Sequence, residues 1–584
     1  MVIILRICEM LSLIDRNTAY ICLFSLLWLP VLIIFTMAVK PEHKKAYIAA
    51  AIVPVLNFAC FYALNHTKGD PGTGISRYCP YLITALVYCI GTVMLMRGEK
   101  RKRVFFLCGE VAVIVSVFAM TAILVNSYQM HYGNFSHYGY ERSMAALIDE
   151  LEGNYISREH KEIDFDMLRE VYIPMAARAE EDGDEAAFAQ AVAELCYEFH
   201  DGHLRLRYND AALGNEAVDR IVGYDHGFSM LRLDDGSVIA ILADGSSESF
   251  SAGIHNGTVI TSWNGEDIDT AIDNVKCIQP GVRGITAYPI ESNEDIARPI
   301  FLAGQGGETV TVGFIDDEGT ERTVTARSMG SYQNRLREAA GPITGKHCFG
   351  FATARMLEDG VGYLCIPEES FDALSDVKAV LTDRYPEVKE LVISRIEELK
   401  SQGMETLILD LRDNDGGIDV VYEEIVTLFT NEGMTLYGGY FKDGELVKSS
   451  SWIWTTEPDG RYSDLPVIVL VNAGCGSCGD IFASFMSRCP NVTMMGITTT
   501  WGSAQTMGGE CLLSGGSIRV QYPIIGTLDE DGKIYLDAGP DRISSLELDE
   551  RIPLDLDAVE QLYAPDSDYE LSYALEYIRS HKLP

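Results

Sequence analysis

Basic residues are scarce in most of this chain of 584 residues. The sequence has 46 Lys+Arg against 85 Asp+Glu, which gives a formal net charge of −39. The first 126 residues run against this trend, with 12 basic and 6 acidic residues, so the acidic excess lies in the remainder. An acidic surface repels phosphate groups, and we therefore expect no nucleic acid partner for that remainder.

Cysteine lacks a pattern that would organise a fold or a metal site. The 14 cysteines are scattered, and only Cys475 and Cys478 form a C-x-x-C. No second C-x-x-C or histidine pair at ligand spacing accompanies them, so neither a metal nor a cofactor is expected. A disulfide between these two cysteines stays open, as does a redox or metal protein built on them.

Charges are almost absent from four long apolar stretches: residues 19–39, 46–64, 78–96 and 104–125, the last interrupted only by Glu110. Each is long enough to span a bilayer. Lysines follow the first stretch and a cluster of Arg and Lys separates the third from the fourth, which predicts that both loops are cytoplasmic. We expect a four-helix membrane anchor, with the lipid bilayer as a partner and everything after Asn126 on the extracytoplasmic side. No cleavable signal pattern is found, and the start at Met1 or Met10 stays open.

Residues 466–486, PVIVLVNAGCGSCGDIFASFM, predict a buried strand, a glycine-rich turn and a helix. Ser477 falls where the strand gives way to the helix, beside free backbone N–H groups and the positive end of a helix dipole. That setting suits a hydroxyl that attacks a carbonyl, because the oxyanion it creates needs fixed donors. The alternative is that Ser477 is only an N-cap, in a capping box with Asp480.

A second stretch, residues 407–417, LILDLRDNDGG, also predicts an apolar strand that ends in a glycine pair. Together the two stretches resemble the tail-specific (C-terminal processing) peptidases and the related tricorn-core peptidases, which carry a D-L-R-x-N-x-G-G strand-loop followed by a V-N-x-x-T-x-S-A-x-E nucleophile turn. In this chain Cys475 replaces the Thr, Cys478 the Ala and Asp480 the Glu. The resemblance implies an acyl-transfer mechanism with Ser477 as nucleophile. It also implies that backbone N–H groups of Gly416 or Gly417 and of Cys478 hold the oxyanion.

The sequence departs from the tail-specific branch at the general base. Those peptidases use a Lys in T-x-G-K, and this chain has Ser503 there, which cannot accept a proton at neutral pH. The resemblance to the tricorn-like branch points instead to the D-G-H segment at residues 201–203, with His203 as general base and His200 as the competing candidate. The same resemblance suggests Asp537 as the acid that orients the imidazole, with an ordinary turn aspartate as the alternative.

Residues 252–265 resemble the glycine-containing signature of PDZ domains, with Thr258 in place of an Asp and an apparent insertion at residues 278–305. Gly227–Met230 is the candidate loop for the C-terminal carboxylate of a bound peptide. A purely structural PDZ-like module is the alternative.

The sequence thus predicts an α/β peptidase core, a mostly parallel sheet covered by helices, together with a PDZ-like β module and a preceding transmembrane region. The expected parts are an anchor at residues 1–126, a linker at 127–139, a helical part at 140–213 that carries the D-G-H segment, the PDZ-like module at 214–330 and the core at 331–584. The expected function is that of a membrane-anchored serine peptidase acting on a peptide or protein substrate. The alternative is a catalytically silent peptide-binding receptor.

Overall fold

The computed structural model describes residues 131–581 except 282–283, 345–349, 372–374, 377–378, 380–383 and 443. The four predicted membrane spans and Glu110 lie outside the described residues. In the part that is described, none of the helices combines the length and the apolar character that crossing a bilayer requires.

Helices and strands are interspersed along the described part of the chain. In chain order the helices are α1 (Tyr140–Asn154), α2 (Phe165–Asp182), α3 (Glu185–Tyr197), α4 (Ala211–Val222), α5 (Glu248–Ser251), α6 (Ile268–Asp273), α7 (Glu291–Leu302), α8 (Gln333–Thr344), α9 (Pro386–Ser401), α10 (Asp419–Val426), α11 (Cys478–Ser487), α12 (Leu556–Leu562) and α13 (Tyr569–Ser580). The strands are β1 (His131–Asn134), β2 (Arg205–Tyr208), β3 (Ser229–Arg232), β4 (Val238–Ile241), β5 (Ile260–Trp263), β6 (Glu266–Asp267), β7 (Gln279–Gly281), β8 (Gly284–Thr286), β9 (Thr309–Ile315), β10 (Glu321–Arg327), β11 (Thr353–Met356), β12 (Val361–Cys365), β13 (Thr406–Asp410), β14 (Thr435–Lys442), β15 (Glu445–Thr455), β16 (Val467–Leu470), β17 (Val492–Gly496), β18 (Thr506–Leu512), β19 (Ile518–Leu528) and β20 (Glu550–Arg551).

The described residues divide into two compact units. The smaller contains residues 131–137, Tyr208–Ala212 and Gly508–Arg519. In it β1 pairs in parallel with β18, from His131 opposite Gly509 to Asn134 opposite Leu512. The larger contains Tyr138–Arg207, Leu213–Met507 and the chain from Val520 onward, including every candidate site residue.

A six-stranded sheet in the order β11-β12-β13-β16-β17-β20 forms the centre of the larger unit. β11 is antiparallel to β12, and the other neighbours pair in parallel. All four residues of β16, Val-Ile-Val-Leu, are buried, as expected for a strand covered on both faces. β12, α9 and β13 form a strand–helix–strand unit with its two strands in parallel. The predicted α/β core with a mostly parallel sheet is therefore confirmed.

Helices α9, α10 and α11 pack on this sheet through one apolar cluster. Its members recur at helical spacing in each helix: Val388, Val392, Ile396 and Leu399 in α9, Val421, Tyr422 and Ile425 in α10, and Ile481, Phe482, Phe485 and Met486 in α11. The cluster also takes in Leu407, Leu409, Val467 and Val469 from the two central strands. This packing fixes α11 and the turn before it against the carboxyl ends of β13 and β16.

Residues 223–332 contain the short strands that the sequence predicts. β10, β9, β5 and β6 form an antiparallel sheet in that order, and β3 and β4 form a separate hairpin. The stretch predicted to be an insertion, residues 278–305, contains β7, β8 and the helix α7. The likeness of this region to a PDZ domain stays a prediction.

Arg412 ties the end of β13 to the start of α13. Its guanidinium is fully buried and contacts the carboxylates of Asp410, at 2.7 Å, Asp568, at 2.8 Å, and Glu570, at 3.1 Å. The three anionic partners compensate for the loss of water around the cation. They keep the pKa of Arg412 well above its usual value although burial acts to lower it.

Replacement of this cation is expected to be costly because it leaves buried carboxylates without a counter-charge. We expect Arg412→Met to lower the free energy of unfolding by about 3–5 kcal/mol, measured by urea denaturation of the full-length protein. Arg579→Met is the matched control, since Arg579 also contacts several carboxylates but its side chain is 41% exposed. A control variant that is destabilised as much as Arg412→Met would contradict this assignment.

Candidate active site

The loops that follow β13 and β16 are joined by a pair of side chains. Asn472 Oδ1 accepts hydrogen bonds from the N–H of Asp413 at 2.9 Å and of Gly474 at 3.0 Å, and its amide donates to Asp413 Oδ1 at 3.2 Å. Asp413 has a φ of +56°, which this pairing holds in place. The two motifs that the sequence singled out therefore meet at one edge of the sheet.

Asn414 braces the glycine pair against the nucleophile turn. Its amide donates to the carbonyl of Ile366 at 3.1 Å, its Oδ1 accepts from Gly416 N–H at 2.9 Å, and its carbonyl accepts from Gly476 N–H at 2.9 Å. A Cβ on Gly416, where φ is +82°, would lie 2.6 Å from the Cβ of Ser477. Only glycine fits there, because both the backbone angle and the space exclude a side chain.

Ser477 precedes the first residue of α11 in a strained conformation, with φ +61° and ψ −127°. A positive φ is uncommon for a residue other than glycine and is often found at functional sites. The hydroxyl of Ser477 makes no capping hydrogen bond to the helix. The carboxylate of Asp480 also points elsewhere, so the alternative of a simple N-cap in a capping box is not what the structure contains.

The loop geometry separates the two glycines proposed for the oxyanion site. Gly416 gives its N–H to Asn414, which revises the prediction for that residue. Within the described part of the chain, no hydrogen bond is donated by the N–H of Gly417 or of Cys478. The two residues lie together, with the Sγ of Cys478 3.5 Å from the carbonyl oxygen of Gly417.

Glu369 fixes the position of the glycine loop through its backbone. Its N–H donates to Gly416 at 3.1 Å, and its carbonyl accepts from Ile418 at 2.8 Å. Its side chain is fully buried and has no hydrogen-bond partner among the described residues. Burial raises the pKa of this carboxyl well above its usual range, which keeps it neutral beside the candidate oxyanion site.

His203 lies in a buried network with Ser503 and Asp201. Its Nδ1 is 3.2 Å from the Oγ of Ser503, whose hydroxyl donates to Asp201 Oδ1 at 2.7 Å. The backbone N–H of His203 donates to the same oxygen at 2.7 Å, and the hydroxyl of Tyr155 donates to Asp201 Oδ2 at 2.6 Å. The carboxylate of Asp201 therefore fixes the D-G-H turn and the serine together.

The charge on Asp201 determines the direction of these hydrogen bonds. Burial acts to raise the pKa of Asp201, but the cation of Lys161, the ring of His203 and the donating hydroxyls outweigh it, and the pKa is lowered. An ionised carboxylate only accepts, so Ser503 donates to it and must accept from His203 Nδ1. The proton of the neutral imidazole then sits on Nδ1, which makes Nε2 the basic atom.

Asp480 holds the segment that carries Ser503. Its carboxylate accepts from the N–H of Gly502 at 2.9 Å and of Ser503 at 3.1 Å. Burial raises the pKa of Asp480 to about 7, opposed by these hydrogen bonds. The backbone of Ser503 also contacts the candidate nucleophile: its carbonyl oxygen accepts a hydrogen bond from Ser477 N–H at 3.1 Å. Ser503 thus contacts Ser477 through its backbone and His203 through its side chain.

The structure gives Asp537 partners other than His203. Its Oδ2 accepts from the hydroxyl of Ser157 at 2.7 Å, and its Oδ1 lies 2.9 Å from the Nζ of Lys161. Burial raises the pKa of Asp537, opposed by the charge of Lys161. The prediction that Asp537 orients His203 is therefore revised: Asp201 is the acid joined to the imidazole, through Ser503.

His200, the competing candidate for the base, is poorly suited to take a proton. Its ring packs edge-on against Tyr197, and its buried Nδ1 has no partner among the described residues. Burial, together with the positive charges of Arg542 and Lys161, lowers its pKa to about 3. A base with that pKa stays unprotonated at neutral pH but binds a proton only weakly.

Cys475 and Cys478 both have free thiols, so the disulfide left open by the sequence is not formed in the structure. Among the residues that the structure describes, no group of three or more His, Cys, Asp or Glu side chains is placed to hold a metal ion.

The candidate carboxylate-binding loop begins at Gly227, whose N–H donates to Asp225 at 2.8 Å, and continues into β3. Peptide capture by this loop stays a prediction.

Sequence reasoning missed three of the residues in and around the site. Asp201 was noted only as part of the D-G-H segment, and its position two residues before His203 was the available signal for an Asx-type turn. Ser503 was noted only because it is not the expected lysine. Lys161 gave no signal, because one lysine in a mixed polar loop has no distinguishing pattern.

The core of the chain is similar in sequence to known peptidases. Residues 360–538 match the model of peptidase family S41. The carboxy-terminal processing protease CtpA of Bacillus subtilis (strain 168) is 32% identical over 119 residues, which cover 20% of this chain. The match spans 24% of that relative's own length.

The chain is also similar in part to solved structures. Mature CPAF is 14% identical, with a TM-score of 0.48, over 76% of this chain and 96% of that one. The photosystem II D1 C-terminal processing protease is 17% identical, with a TM-score of 0.31, over 74% of this chain and 99% of that one. The part of the chain that is similar to peptidase family S41, residues 360–538, includes the nucleophile turn and the glycine pair.

Proposed function

We propose that this protein is a serine peptidase that uses Ser477 as nucleophile and His203 as general base. The observation that carries the proposal is the double contact of Ser503. Its carbonyl oxygen accepts from the N–H of Ser477, and its hydroxyl lies against Nδ1 of His203. One residue therefore joins the backbone of the nucleophile to the ring of the base.

In the proposed reaction the Oγ of Ser477 attacks the carbonyl carbon of a peptide bond, and Nε2 of His203 takes the hydroxyl proton. The tetrahedral intermediate collapses to an acyl-enzyme as the imidazolium gives that proton to the leaving amine. Water then attacks the ester, His203 again takes and returns a proton, and the acid product leaves. Asp201 stays ionised throughout and holds the imidazole, through Ser503, in the tautomer with its proton on Nδ1.

The oxyanion of both tetrahedral intermediates is proposed to be held by the backbone N–H groups of Gly417 and Cys478. Within the described residues neither N–H group donates a hydrogen bond. Cys478 belongs to the first turn of α11, where the helix dipole favours negative charge. The neutral side chain of Glu369 adds no opposing charge nearby.

The substrate is proposed to be a peptide or protein. The curated relative is named for carboxy-terminal processing, and the sequence of residues 214–330 resembles a module that binds peptide C-termini. We propose by analogy that this protein selects its substrates through a free C-terminus.

The first prediction concerns the nucleophile and the base. Full-length protein in mild detergent is expected to react with a fluorophosphonate probe at one site, and both Ser477→Ala and His203→Ala are expected to abolish labelling. Ser487→Ala is the matched control in the same helix, since the Ser487 hydroxyl is exposed and bonds only to the carbonyl of Ser484.

Intact mass and peptide mapping would report the label, and circular dichroism would verify the fold of each variant. If a folded wild-type protein takes no label, the catalytically silent peptide-binding receptor becomes the better conclusion.

Selection by the C-terminus has its own test. A peptide with a free C-terminus should be cleaved faster than the same peptide with an amidated C-terminus, and equal rates would contradict selection by the C-terminus.

A second prediction isolates the hydroxyl of Ser503. Ser503→Ala keeps the carbonyl that binds Ser477 N–H but removes the link between Asp201 and His203, so the labelling rate should fall about 10²–10⁴-fold. The labelling rate of Asp201→Asn should fall by a similar factor, because the amide of the new side chain can donate to the Ser503 hydroxyl and so reverse the direction of the hydrogen bond between Ser503 and His203. A rate for Ser503→Ala within about threefold of wild type would mean that the base is held by another group.

We further propose that the peptidase part lies on the extracytoplasmic side of a membrane, as the four apolar stretches and the basic loops suggest. In intact spheroplasts an added protease should remove a tag placed after Pro584. A tag in the loop at residues 97–103 should stay protected until the cells are lysed. Protection of both tags would contradict the proposed orientation.

A further inference from the structure

A group of buried charges lies beside the candidate base. It consists of the carboxylates of Asp201 and Asp537 and the ammonium of Lys161, all of them buried. Lys161 Nζ lies 2.9 Å from Asp537 Oδ1 and donates to the carbonyls of His200, at 3.2 Å, and Ala538, at 2.9 Å. We call these three residues the charge cluster.

The charge cluster contains two acids and one base, so its net charge is −1 when all three are ionised. Isolated charges are costly to bury, and each member here has a charged or donating partner. Tyr155 donates to Asp201 and Ser157 donates to Asp537. The excess of one negative charge, present when both carboxyls are ionised, is therefore stabilised by hydrogen bonds and shielded from solvent.

The reaction proposed above creates one positive charge beside this cluster, when His203 takes the proton of Ser477. That imidazolium would be joined to Asp201 through Ser503, and the whole assembly would then be neutral. With Asp537 neutral or absent, the cluster would carry no net charge and would attract the imidazolium less strongly.

We propose that Lys161 and Asp537 are positioning residues that set the charge cluster at a single negative charge, matched to the positive charge of protonated His203. This inference rests on the proposed function, because it gives His203 the role of the base. Lys161 anchors the cluster to the D-G-H turn through the carbonyl of His200, and Asp537 supplies the second negative charge that Lys161 balances.

Other ionisable groups face the same region from neighbouring elements. Tyr155 and His203 act on Asp201, and Asp480 is affected by the charge of Asp537. The ring of His160 lies on the carbonyl of Asp537, and the carbonyl of His200 binds Lys161. None of them contacts the carboxylate oxygens of Asp537, whose partners are Ser157 and Lys161. A substitution at Asp537 therefore breaks no hydrogen bond of these groups to its carboxylate, and it acts on Tyr155 and Asp480 through charge alone.

The test uses full-length protein in mild detergent with Cε1-labelled histidine, and His203 is assigned by comparison with His203→Gln. Asp537→Asn keeps the shape and the acceptor but brings the cluster to zero net charge. We expect the pH at which His203 takes up a proton to fall by about one unit. The acid limb of the fluorophosphonate labelling rate should move down by the same amount, and the plateau rate should fall about tenfold.

The double variant Lys161→Met/Asp537→Asn removes both charges and returns the cluster to −1. We expect it to restore the midpoint of His203 and most of the labelling rate. Asp317→Asn, an exposed turn residue, removes an equal charge far from the site and is expected to change neither.

A folded Asp537→Asn variant in which the midpoint of His203 is unchanged or raised would overturn the inference. So would a folded double variant that behaves like the single one, since a purely structural pair would lower the unfolding temperature without moving the midpoint. If the double variant does not fold, the direction of the shift in Asp537→Asn decides alone. Because the histidine titration does not need turnover, wild-type protein that takes no label while His203 shifts as expected would count against the proposed function and not against the charge coupling.

Discussion

The site depends on the hydrogen bonds that lock two strand-end loops together. Asn472 holds the loop after β13, and Asn414 holds the turn after β16, so each motif stabilises the other's irregular backbone. Three residues with positive φ, Asp413, Gly416 and Ser477, lie within this joint. Such conformations persist only where surrounding contacts determine them, and here the buried amides provide those contacts. The packing of α11 on the sheet then sets the direction in which Ser477 faces.

Burial acts to raise the pKa of every carboxyl group in the site, and the partners of each group decide whether its pKa ends above or below the usual range. Glu369 has no cation beside it and its pKa stays well raised, whereas Asp201 has a cation and three donors and its pKa is lowered. Asp480 lies between these cases, with backbone donors but no cation. The site therefore holds the negative charge of Asp201 beside the candidate base, while the raised pKa of Glu369 favours a neutral side chain beside the candidate oxyanion site. That division is what an acyl-transfer mechanism needs, because its intermediates are positive at the base and negative at the carbonyl oxygen.

The sequence was sufficient for the parts of the fold that depend on local pattern. The apolar run at residues 467–471, the glycine pair at 416–417 and the periodic faces of α1 and α11 all predicted elements that the structure contains. It was insufficient where a role depends on distant residues. Asp201 and Ser503 are about 300 positions apart in the chain, so no spacing rule relates them. Asp537 was assigned by position in a motif, and only the fold shows that Lys161 and Ser157 occupy its carboxylate.

The acids around residue 503 also account for the serine at a position where the tail-specific branch has a lysine. A lysine acts as a general base only when its surroundings lower its pKa, by burial or by neighbouring cations. Here Asp201 lies 2.7 Å from the side chain of residue 503, and Asp480 binds its backbone N–H. An ammonium in that place would pair with Asp201 and remain protonated. The same carboxylate suits an imidazole held through a serine, because an imidazole, unlike an amine, has an ordinary pKa near neutral pH. The carboxylate fixes the tautomer of the neutral ring and stabilises the imidazolium that forms during the reaction. The exchange of lysine for serine and the presence of Asp201 and His203 are thus parts of one electrostatic arrangement.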